Sequence, residues 1–319
     1  MSSPTSMDQQ QSARVDFTIF VHVHYPDVWE EMRAEIGKAV QQQFALVITR
    51  PPSVAPVAMP DTPWLAFSQQ FEVENRGRDI MPFLKALRNP ALPKCDIGLK
   101  LHTKRSPHRT DGADWRRFIC NSLLQADGHG RMLGHALLMG EHRIGLIAPE
   151  AHLLPLQGRT SINNGAMSAV LQALYGHDLF TEGKVARFAA GSMFWFRRSA
   201  LANLLPEQID ELFVPERGQL DGTAAHALER LFATIVEEQG LLSAAMENAH
   251  PILAAPPASL SDAALAERIE ATLVRDNPFA LPLAAFWRNS PRLLKLAHAI
   301  YARLPKSVIR VFRAALRRS

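Results

Sequence analysis

The densest group of chemically active side chains in this sequence lies in residues 100–108, which read K-L-H-T-K-R-S-P-H. Lys100, Lys104 and Arg105 are cations, and His102 places an imidazole between them. Cations and hydrogen-bond donors grouped in this way bind phosphate or diphosphate groups. A solvated basic turn is the alternative interpretation. However, Lys100 ends an apolar stretch, and a buried ammonium group needs a partner.

A second polar group lies in residues 74–80, E-N-R-G-R-D-I, between a predicted strand and a predicted helix. Asn75 and Gly77 would form the turn, and Arg78 and Asp79 would begin the helix. The amino terminus of a helix carries partial positive charge, so this turn also suits an anion. The alternative is that Asp79 only caps its helix while the arginine is solvated.

Two later segments contribute small residues and carboxylates. Residues 188–196, F-A-A-G-S-M-F-W-F, place Gly191 and Ser192 before a bulky apolar run. This pattern indicates either a close approach of the backbone to a ligand or a packed strand with a bulge. Glu216 and Asp221 lie in E-R-G-Q-L-D-G-T, just before a predicted helix. Each carboxylate there could act as a base or could only cap the helix.

The hydrophobic pattern predicts a fold that would bring these groups together. Apolar or β-branched runs that predict strands occupy residues 17–24, 44–49, 70–74, 97–101, 144–148 and 188–196. Helical patterns alternate with them, which favours an α/β fold with a mostly parallel central sheet flanked by helices. Ligands of such sheets bind beyond the carboxyl ends of the strands, where the polar loops would converge.

Composition restricts the classes of protein that fit this chain. It has 319 residues, of which 47% are hydrophobic, so it can bury a large core. Its two cysteines, Cys95 and Cys120, indicate neither a disulfide framework nor a zinc site. Residues 1–16 are polar, without the features of a signal peptide, and are predicted to be a disordered tail. Residues 17–275 are interpreted as one domain.

Positive charge is concentrated near the end of the chain. Residues 277–319 contain nine lysines or arginines and no acidic residue, although the whole chain carries only +4. Apolar residues recur at helical spacing on both sides of Pro305, which predicts a basic tail of amphipathic helices over residues 276–319. We expect residues 284–319 to lie on an anionic membrane surface. Packing on the body of the protein or on a partner is the alternative.

Hydropathy and the location of the positive charge also limit how the chain is expected to meet a membrane or nucleic acid. No apolar stretch reaches 18 residues, so the chain is expected to lie on a bilayer and not to span it. The positive charge is local and no nucleic-acid-reading module is recognised, so nucleic acid is not an expected partner.

Five stretches occur together in an order that carries more information than any of them alone. They are H-V-H-Y-P-D, E-N-R-G-R-D-I-M-P-F-L, K-L-H-T-K-R-S-P-H, A-G-S-M-F-W-F-R-R-S-A-L and E-R-G-Q-L-D-G-T-A-A-H-A-L-E-R. Over about residues 17–240, the chain resembles the rhamnan synthesis protein F family of bacterial polysaccharide biosynthesis. The resemblance implies a GT-A-like fold and a glycosyltransferase on the cytoplasmic face of the cell membrane. Rhamnose or a related deoxysugar would pass from a dTDP- or GDP-linked donor to a lipid-linked surface glycan.

The chain departs from the GT-A pattern at the position where a metal would bind. Residues 101–103, L-H-T, stand where GT-A transferases carry the metal-binding D-x-D, and they offer few oxygen ligands. No divalent cation or other cofactor is therefore expected, and cations of the chain would stabilise the leaving diphosphate. The expected donor-binding residues are His24, Asn75, Gly77, Arg78, Asp79, Lys100, His102, Lys104, Arg105, Gly191 and Ser192.

Catalytic roles follow from the same resemblance. Asp221 would be the base of an inverting transfer, because GT-A relatives commonly keep an aspartate at the start of a late helix. Glu216 is the second choice for the base, Glu229 is expected to be structural, and His102 would assist departure of the diphosphate. The alternative function is a catalytically silent GT-A-like scaffold of a polysaccharide-assembly complex, which the missing D-x-D favours.

Overall fold

The computed structural model describes most of the domain and little of the predicted tails. The described residues are 15–103, 105, 112–156, 159–160, 162–177, 187–215, 221–255, 260–270, 293 and 296. Lys104, Glu216, residues 1–14 and most of the predicted basic tail lie outside them. Of that tail, Leu293 and Leu296 are described, and both are exposed.

Nine strands and eight α-helices are formed by the described residues. The strands are β1 (Phe17–His22), β2 (Phe44–Arg50), β3 (Leu65–Glu72), β4 (Ile97–His102), β5 (Ile144–Ala148), β6 (Leu153–Pro155), β7 (Arg187–Ala189), β8 (Phe194–Arg197) and β9 (Leu242–Ala245). The helices are α1 (Pro26–Ala39), α2 (Ile80–Leu87), α3 (Gly112–Leu123), α4 (Leu133–Gly140), α5 (Asn164–Tyr175), α6 (Ala224–Glu238), α7 (Ala249–Leu253) and α8 (Asp262–Glu270).

Seven of the strands form one mostly parallel sheet, in the order β3-β2-β1-β4-β8-β5-β9. β1 pairs in parallel with β2 and with β4, β2 pairs in parallel with β3, and β5 pairs in parallel with β9. β8 runs antiparallel to both of its neighbours, β4 and β5. Strands β1 and β4 are buried at every residue, as expected for strands covered on both faces. The predicted α/β fold, with a mostly parallel central sheet flanked by helices like that of GT-A transferases, is confirmed.

Helices cover both faces of the sheet and divide the core in two. One core cluster contains the apolar faces of α1, α3, α4, α7 and α8, and the other contains those of α2, α5 and α6. Trp195 of β8 lies in the first cluster, and its neighbour Phe196 lies in the second. Successive side chains of a strand point to opposite faces, so β8 contributes to both halves of the core.

Strand register aligns the polar ends of three strands at one edge of the sheet. His22 of β1 pairs with Thr49 of β2 on one side and with His102 of β4 on the other. Because β8 is antiparallel to β4, the amino end of β8 lies at this edge, where Phe194 pairs with Lys100. The Gly191–Ser192 turn before β8 therefore lies beside the carboxyl end of β4.

The predicted single strand over residues 188–196 is wrong, because the chain reverses within it. β7 pairs with β6 in a separate two-stranded sheet, and β8 joins the central sheet. Between them Gly191 has φ +90° and Ser192 has φ +49°, both in the left-handed region that a continuous strand cannot contain. Other boundaries moved by a few residues, with β3 beginning at Leu65 and not at residue 70.

Candidate active site

A buried group of three polar residues lies at the carboxyl end of β4. Nζ of Lys100 donates to Oδ2 of Asp79 at 2.5 Å, to the Ser192 carbonyl at 2.8 Å and to Ser192 Oγ at 2.9 Å. Ser192 Oγ in turn donates to Oδ2 of Asp79. The side chain of Lys100 is 1% exposed and that of Asp79 is 15% exposed. The ammonium group predicted to need a diphosphate thus has a carboxylate partner within the protein.

The electrostatics of Asp79 follow from these neighbours. Burial alone would raise the pKa of its carboxyl group, because desolvation disfavours the charged form. His102, Lys100 and the hydrogen bonds from Lys100 and Ser192 outweigh this effect and hold the pKa well below its usual range. Asp79 is therefore ionised across the physiological pH range and keeps the buried ammonium group neutralised.

The turn before α2 aims Asp79 at β4. Asp79 occupies the N-cap position of α2, but its side chain makes no capping hydrogen bond. Gly77 and Arg78 have φ values of +68° and +55°. A methyl group on Gly77 would lie 2.5 Å from the ring of Phe213 and 2.6 Å from Cβ of Met81, so only glycine fits there. The interpretation of Asp79 as a simple helix cap is wrong, since its carboxylate reaches Lys100 instead.

Arg78 and Asn75 lie on the outer side of the same turn. Both residues are exposed, while Gly77 between them is buried. A non-glycine residue in the left-handed region costs about 1 kcal/mol or more, and such residues cluster at ligand sites. Two consecutive left-handed residues, Gly77 and Arg78, therefore form the turn, and the exposed Arg78 directly precedes Asp79.

Two imidazoles flank this group. Nε2 of His102 lies 2.8 Å from the Gly191 carbonyl and 3.8 Å from Oδ2 of Asp79. A carbonyl only accepts hydrogen bonds, so Nε2 of His102 carries a hydrogen. Nδ1 of His22 lies 3.0 Å from Thr49 Oγ1. Burial lowers the pKa of His22 to about 3, so its ring is neutral at pH 7.

The loop after β1 lies against the loop after β4. Oγ1 of Thr103 accepts the backbone N–H groups of His24 at 2.8 Å and Tyr25 at 3.0 Å. The imidazole of His24 packs edge-on against the ring of Tyr25, with centroids 4.8 Å apart. The guanidinium group of Arg105 stacks over the same Tyr25 ring, with its carbon 4.7 Å from the ring centroid. Arg105 also forms an ion pair with Asp27. Arg105 is thus a surface cation, in contrast to Lys100.

A second polar group surrounds the start of α6. Oδ1 of Asp221 accepts from Asn163 Nδ2 at 2.9 Å and from Arg230 Nη2 at 3.2 Å. Oδ1 of Asn163 accepts the N–H of Gly222 at 2.8 Å, which fixes the turn that carries the aspartate. The side chain of Asp221 is 33% exposed. None of the described residues donates a hydrogen bond to its second oxygen, Oδ2.

Glu229 joins the two polar groups. Its Oε1 accepts the N–H of Gly191 at 2.7 Å, and its Oε2 lies 3.9 Å from Nη1 of Arg230, the residue that holds Asp221. The same Gly191 receives His102 at its carbonyl. The Gly191–Ser192 turn consequently connects Lys100 and His102 at the end of β4 to Glu229 of α6.

Four residues of this site were absent from the predicted site or had no role in it. These are His22, Asn163, Glu229 and Arg230. Asn163 and Arg230 bind Asp221 and Glu229 binds the N–H of Gly191, whereas His22 contacts Thr49 and lies beside His102 in the sheet. His22 ends β1 and lies two residues before His24 of the predicted site, so it could have been identified from the sequence. Asn163 has no such signal, because its partner Asp221 lies 58 residues later in the chain. Arg230 lies nine residues after Asp221, a spacing that does not by itself indicate a contact.

The site combines charges of both signs with neutral donors. Among the described residues, no group of three or more histidines, cysteines, aspartates or glutamates is arranged to hold a metal ion. An anion would meet exposed cations at Arg78 and Arg105, and a hydroxyl group could meet the free oxygen of Asp221. Such an arrangement can bind a diphosphate and accept a proton from a nucleophile.

A model of the family described as rhamnan synthesis protein F matches residues 2–241 of this chain. The chain belongs to the rhamnan synthesis protein F family. The matched segment extends past the end of α6 and contains every described site residue, whereas the predicted basic tail lies beyond it. This member of the family is therefore placed among proteins named for polysaccharide synthesis, and the candidate site lies in the part that the family shares.

Two relatives from Xanthomonas campestris pv. campestris match part of this family member. Both are called uncharacterized protein WxcX, from strains B100 and ATCC 33913, and each is 39% identical over 168 residues. The match covers 52% of this chain but only 24% of each relative. Within the described part of this family member, no helix is both long and apolar enough to cross a membrane.

Proposed function

We propose that this chain is an inverting glycosyltransferase of bacterial surface-polysaccharide synthesis. It would transfer rhamnose or a related deoxysugar from a dTDP- or GDP-linked donor to a lipid-linked glycan at the inner face of the cell membrane. The observation that carries the proposal is that the left-handed turn at Gly191–Ser192 contacts the end of β4 on one side and Glu229 on the other, next to Arg230, which binds the carboxylate of Asp221. Membership of the rhamnan synthesis protein F family supports the same class of reaction.

The donor diphosphate would bind at the outer side of the β4 edge. Arg78, Arg105 and the imidazole of His102 would face it, with Lys104 in the same loop. Lys100 would act indirectly, because it is neutralised by Asp79 and positions Ser192 and the turn after Gly191. Preorganised cations of this kind stabilise the charge that develops on a leaving diphosphate without a divalent ion.

Asp221 would be the catalytic base. Oδ1 is held by Asn163 and Arg230, while Oδ2 remains available to a hydroxyl group of the acceptor. In the transfer step, the acceptor oxygen attacks the anomeric carbon and its proton passes to Asp221. The bond between that carbon and the diphosphate oxygen breaks, and the diphosphate leaves with the electron pair. Glu216 remains the second candidate for this role.

The proposal is tested by incubating the purified chain with dTDP-rhamnose or GDP-rhamnose and a polyprenyl-linked glycan acceptor. Transfer is measured by mass spectrometry of the lipid product. Transfer of one sugar with inversion at the anomeric carbon is the expected result. The alternative, a silent GT-A-like scaffold, predicts no binding of either nucleotide sugar by calorimetry and no product with any acceptor.

A further inference from the structure

One buried polar group of the site has no role in the mechanism above. His226 lies in the first turn of α6 and is 5% exposed. Its Nδ1 lies 2.8 Å from Oγ1 of Thr223, the N-cap residue of the helix. Its Nε2 has no hydrogen-bond partner among the described residues. A buried polar atom without a partner costs about 1–3 kcal/mol, so it is rarely kept without a reason.

The surroundings of His226 include groups from both halves of the proposed reaction. Its ring lies within electrostatic range of Arg78, on the diphosphate side, and of Asp221, on the side of the base. Glu229 and Arg230 of the same helix are its other charged neighbours. In an inverting transfer, the group between the diphosphate and the base is the sugar ring, because the anomeric carbon is bonded to one and attacked from the side of the other.

The chemistry of the imidazole indicates which part of the sugar it could bind. Burial, with a contribution from Arg78, lowers the pKa of His226 to about 4, so the ring is neutral at pH 7. A neutral ring bonded to a hydroxyl at Nδ1 can either donate or accept at Nε2, depending on the tautomer. A sugar hydroxyl can meet both forms, since it is a donor and an acceptor, whereas a phosphate oxygen could meet only the donor.

We infer that Nε2 of His226 binds a ring hydroxyl of the transferred sugar and so contributes to selection of the donor. This inference rests on the proposed glycosyltransferase function and extends it to one residue and one class of ligand group. Thr223 holds the ring in place through Nδ1, and Arg230, which donates both to the His226 carbonyl and to Asp221, keeps the first turn of α6 beside the proposed base.

The test compares two substitutions that separate the nitrogens of the ring. His226→Gln carries an amide near the position of Nε2, whereas His226→Asn carries one near Nδ1 and can keep only the contact with Thr223. Both variants are measured by calorimetry with dTDP-rhamnose and GDP-rhamnose, and with dTDP and GDP, which lack the sugar. Thermal unfolding of each variant reports on folding.

For the nucleotide sugar that binds the native chain, we expect His226→Asn to weaken binding about ten- to a hundredfold and His226→Gln to weaken it less. Binding of the nucleoside diphosphate alone should change less than twofold in both variants. Equal losses for the sugar donor and for the diphosphate, or unchanged donor binding in His226→Asn, would overturn the inference. If the native chain binds dTDP and GDP as tightly as the corresponding nucleotide sugars, a nucleotide site exists but the sugar makes no favourable contact, and the inference is wrong. If it binds none of the four compounds, the proposed function itself is wrong.

Discussion

Lys100 Nζ and Asp79 Oδ2 form a 2.5 Å ion pair beneath the edge of the sheet where the candidate site lies. The rings of Phe83 and Phe194 lie 5.3 and 5.9 Å from the ammonium group, so the pair is enclosed by aromatic side chains. Charges in such surroundings are stable only together, because each alone would be an uncompensated buried ion. The pair therefore fixes the α2 turn, β4 and the Ser192 turn relative to one another.

The first prediction concerns the stability contributed by this pair. Lys100→Met leaves the Asp79 carboxylate without its cation, and we expect it to lower the free energy of unfolding by about 3 kcal/mol. Replacing both residues, as Lys100→Met with Asp79→Leu, should recover more than half of that loss. Urea denaturation of the two single variants and the double variant measures the coupling. Strictly additive losses would mean that the pair does not act as a unit.

The second prediction concerns the proposed base. Asp221→Asn keeps the side-chain shape but removes the proton acceptor, and we expect kcat to fall about 100- to 10,000-fold while donor binding stays within a few fold. Asp61→Asn, an exposed residue before β3, is the matched control and should retain full activity. Near-normal transfer by Asp221→Asn would assign the base to another group, with Glu216→Gln the next variant to measure.

The third prediction concerns divalent cations. The proposed leaving-group stabilisation uses Arg78, Arg105, Lys104 and His102, so transfer should be unchanged by EDTA and unaffected by added Mn²⁺ or Mg²⁺. Initial rates with and without chelator are the measurement. A rate that collapses with EDTA and returns with Mn²⁺ would contradict the proposal. Removal of Arg78 as Arg78→Gln should instead raise the KM for the donor.

The fourth prediction follows from the buried His22. Its pKa is about 3 in the folded chain and near 6.5 when unfolded, so the unfolded chain binds the proton more readily. Its contribution to stability is complete above pH 6.5 and is lost as the pH falls toward 3. At pH 5 the loss is on the order of 2 kcal/mol relative to pH 7. His22→Gln should reduce the difference in unfolding free energy between pH 7 and pH 5 by about that amount, as measured by urea denaturation. An unchanged difference would show that His22 is hydrated or paired in solution.

The fifth prediction concerns the predicted basic tail. Deleting residues 284–319 should abolish association with liposomes that contain anionic lipid, measured by sedimentation, while leaving the domain folded. Liposomes of neutral lipid are the control, because the attraction depends on surface charge. Equal association of the full and shortened chains would favour the alternative, in which the tail packs on the protein or on a partner.

Much of the architecture could be predicted from local pattern. The runs at 44–49 and 97–101 became β2 and β4 with an error of one residue, because strands buried on both faces are continuously apolar. The segment 188–196 was mispredicted, since its apolar letters conceal a reversal at Gly191 and Ser192. Glycine and serine fit such a turn, but nothing in the letters distinguishes it from a bulge.

By itself, the sequence determined the family, the strands β1, β2, β4 and β5 and the polar residues that follow the strands, because these depend on neighbours along the chain. Only the tertiary structure decided which charge meets which. Lys100 pairs with Asp79, 21 residues earlier, and the N–H of Gly191 donates to Glu229, 38 residues later. The strand order and the antiparallel direction of β8 determine these partners, because together they bring residues that are distant in the chain into the buried interior. There a cation needs a partner of opposite charge, so Lys100 is paired within the fold.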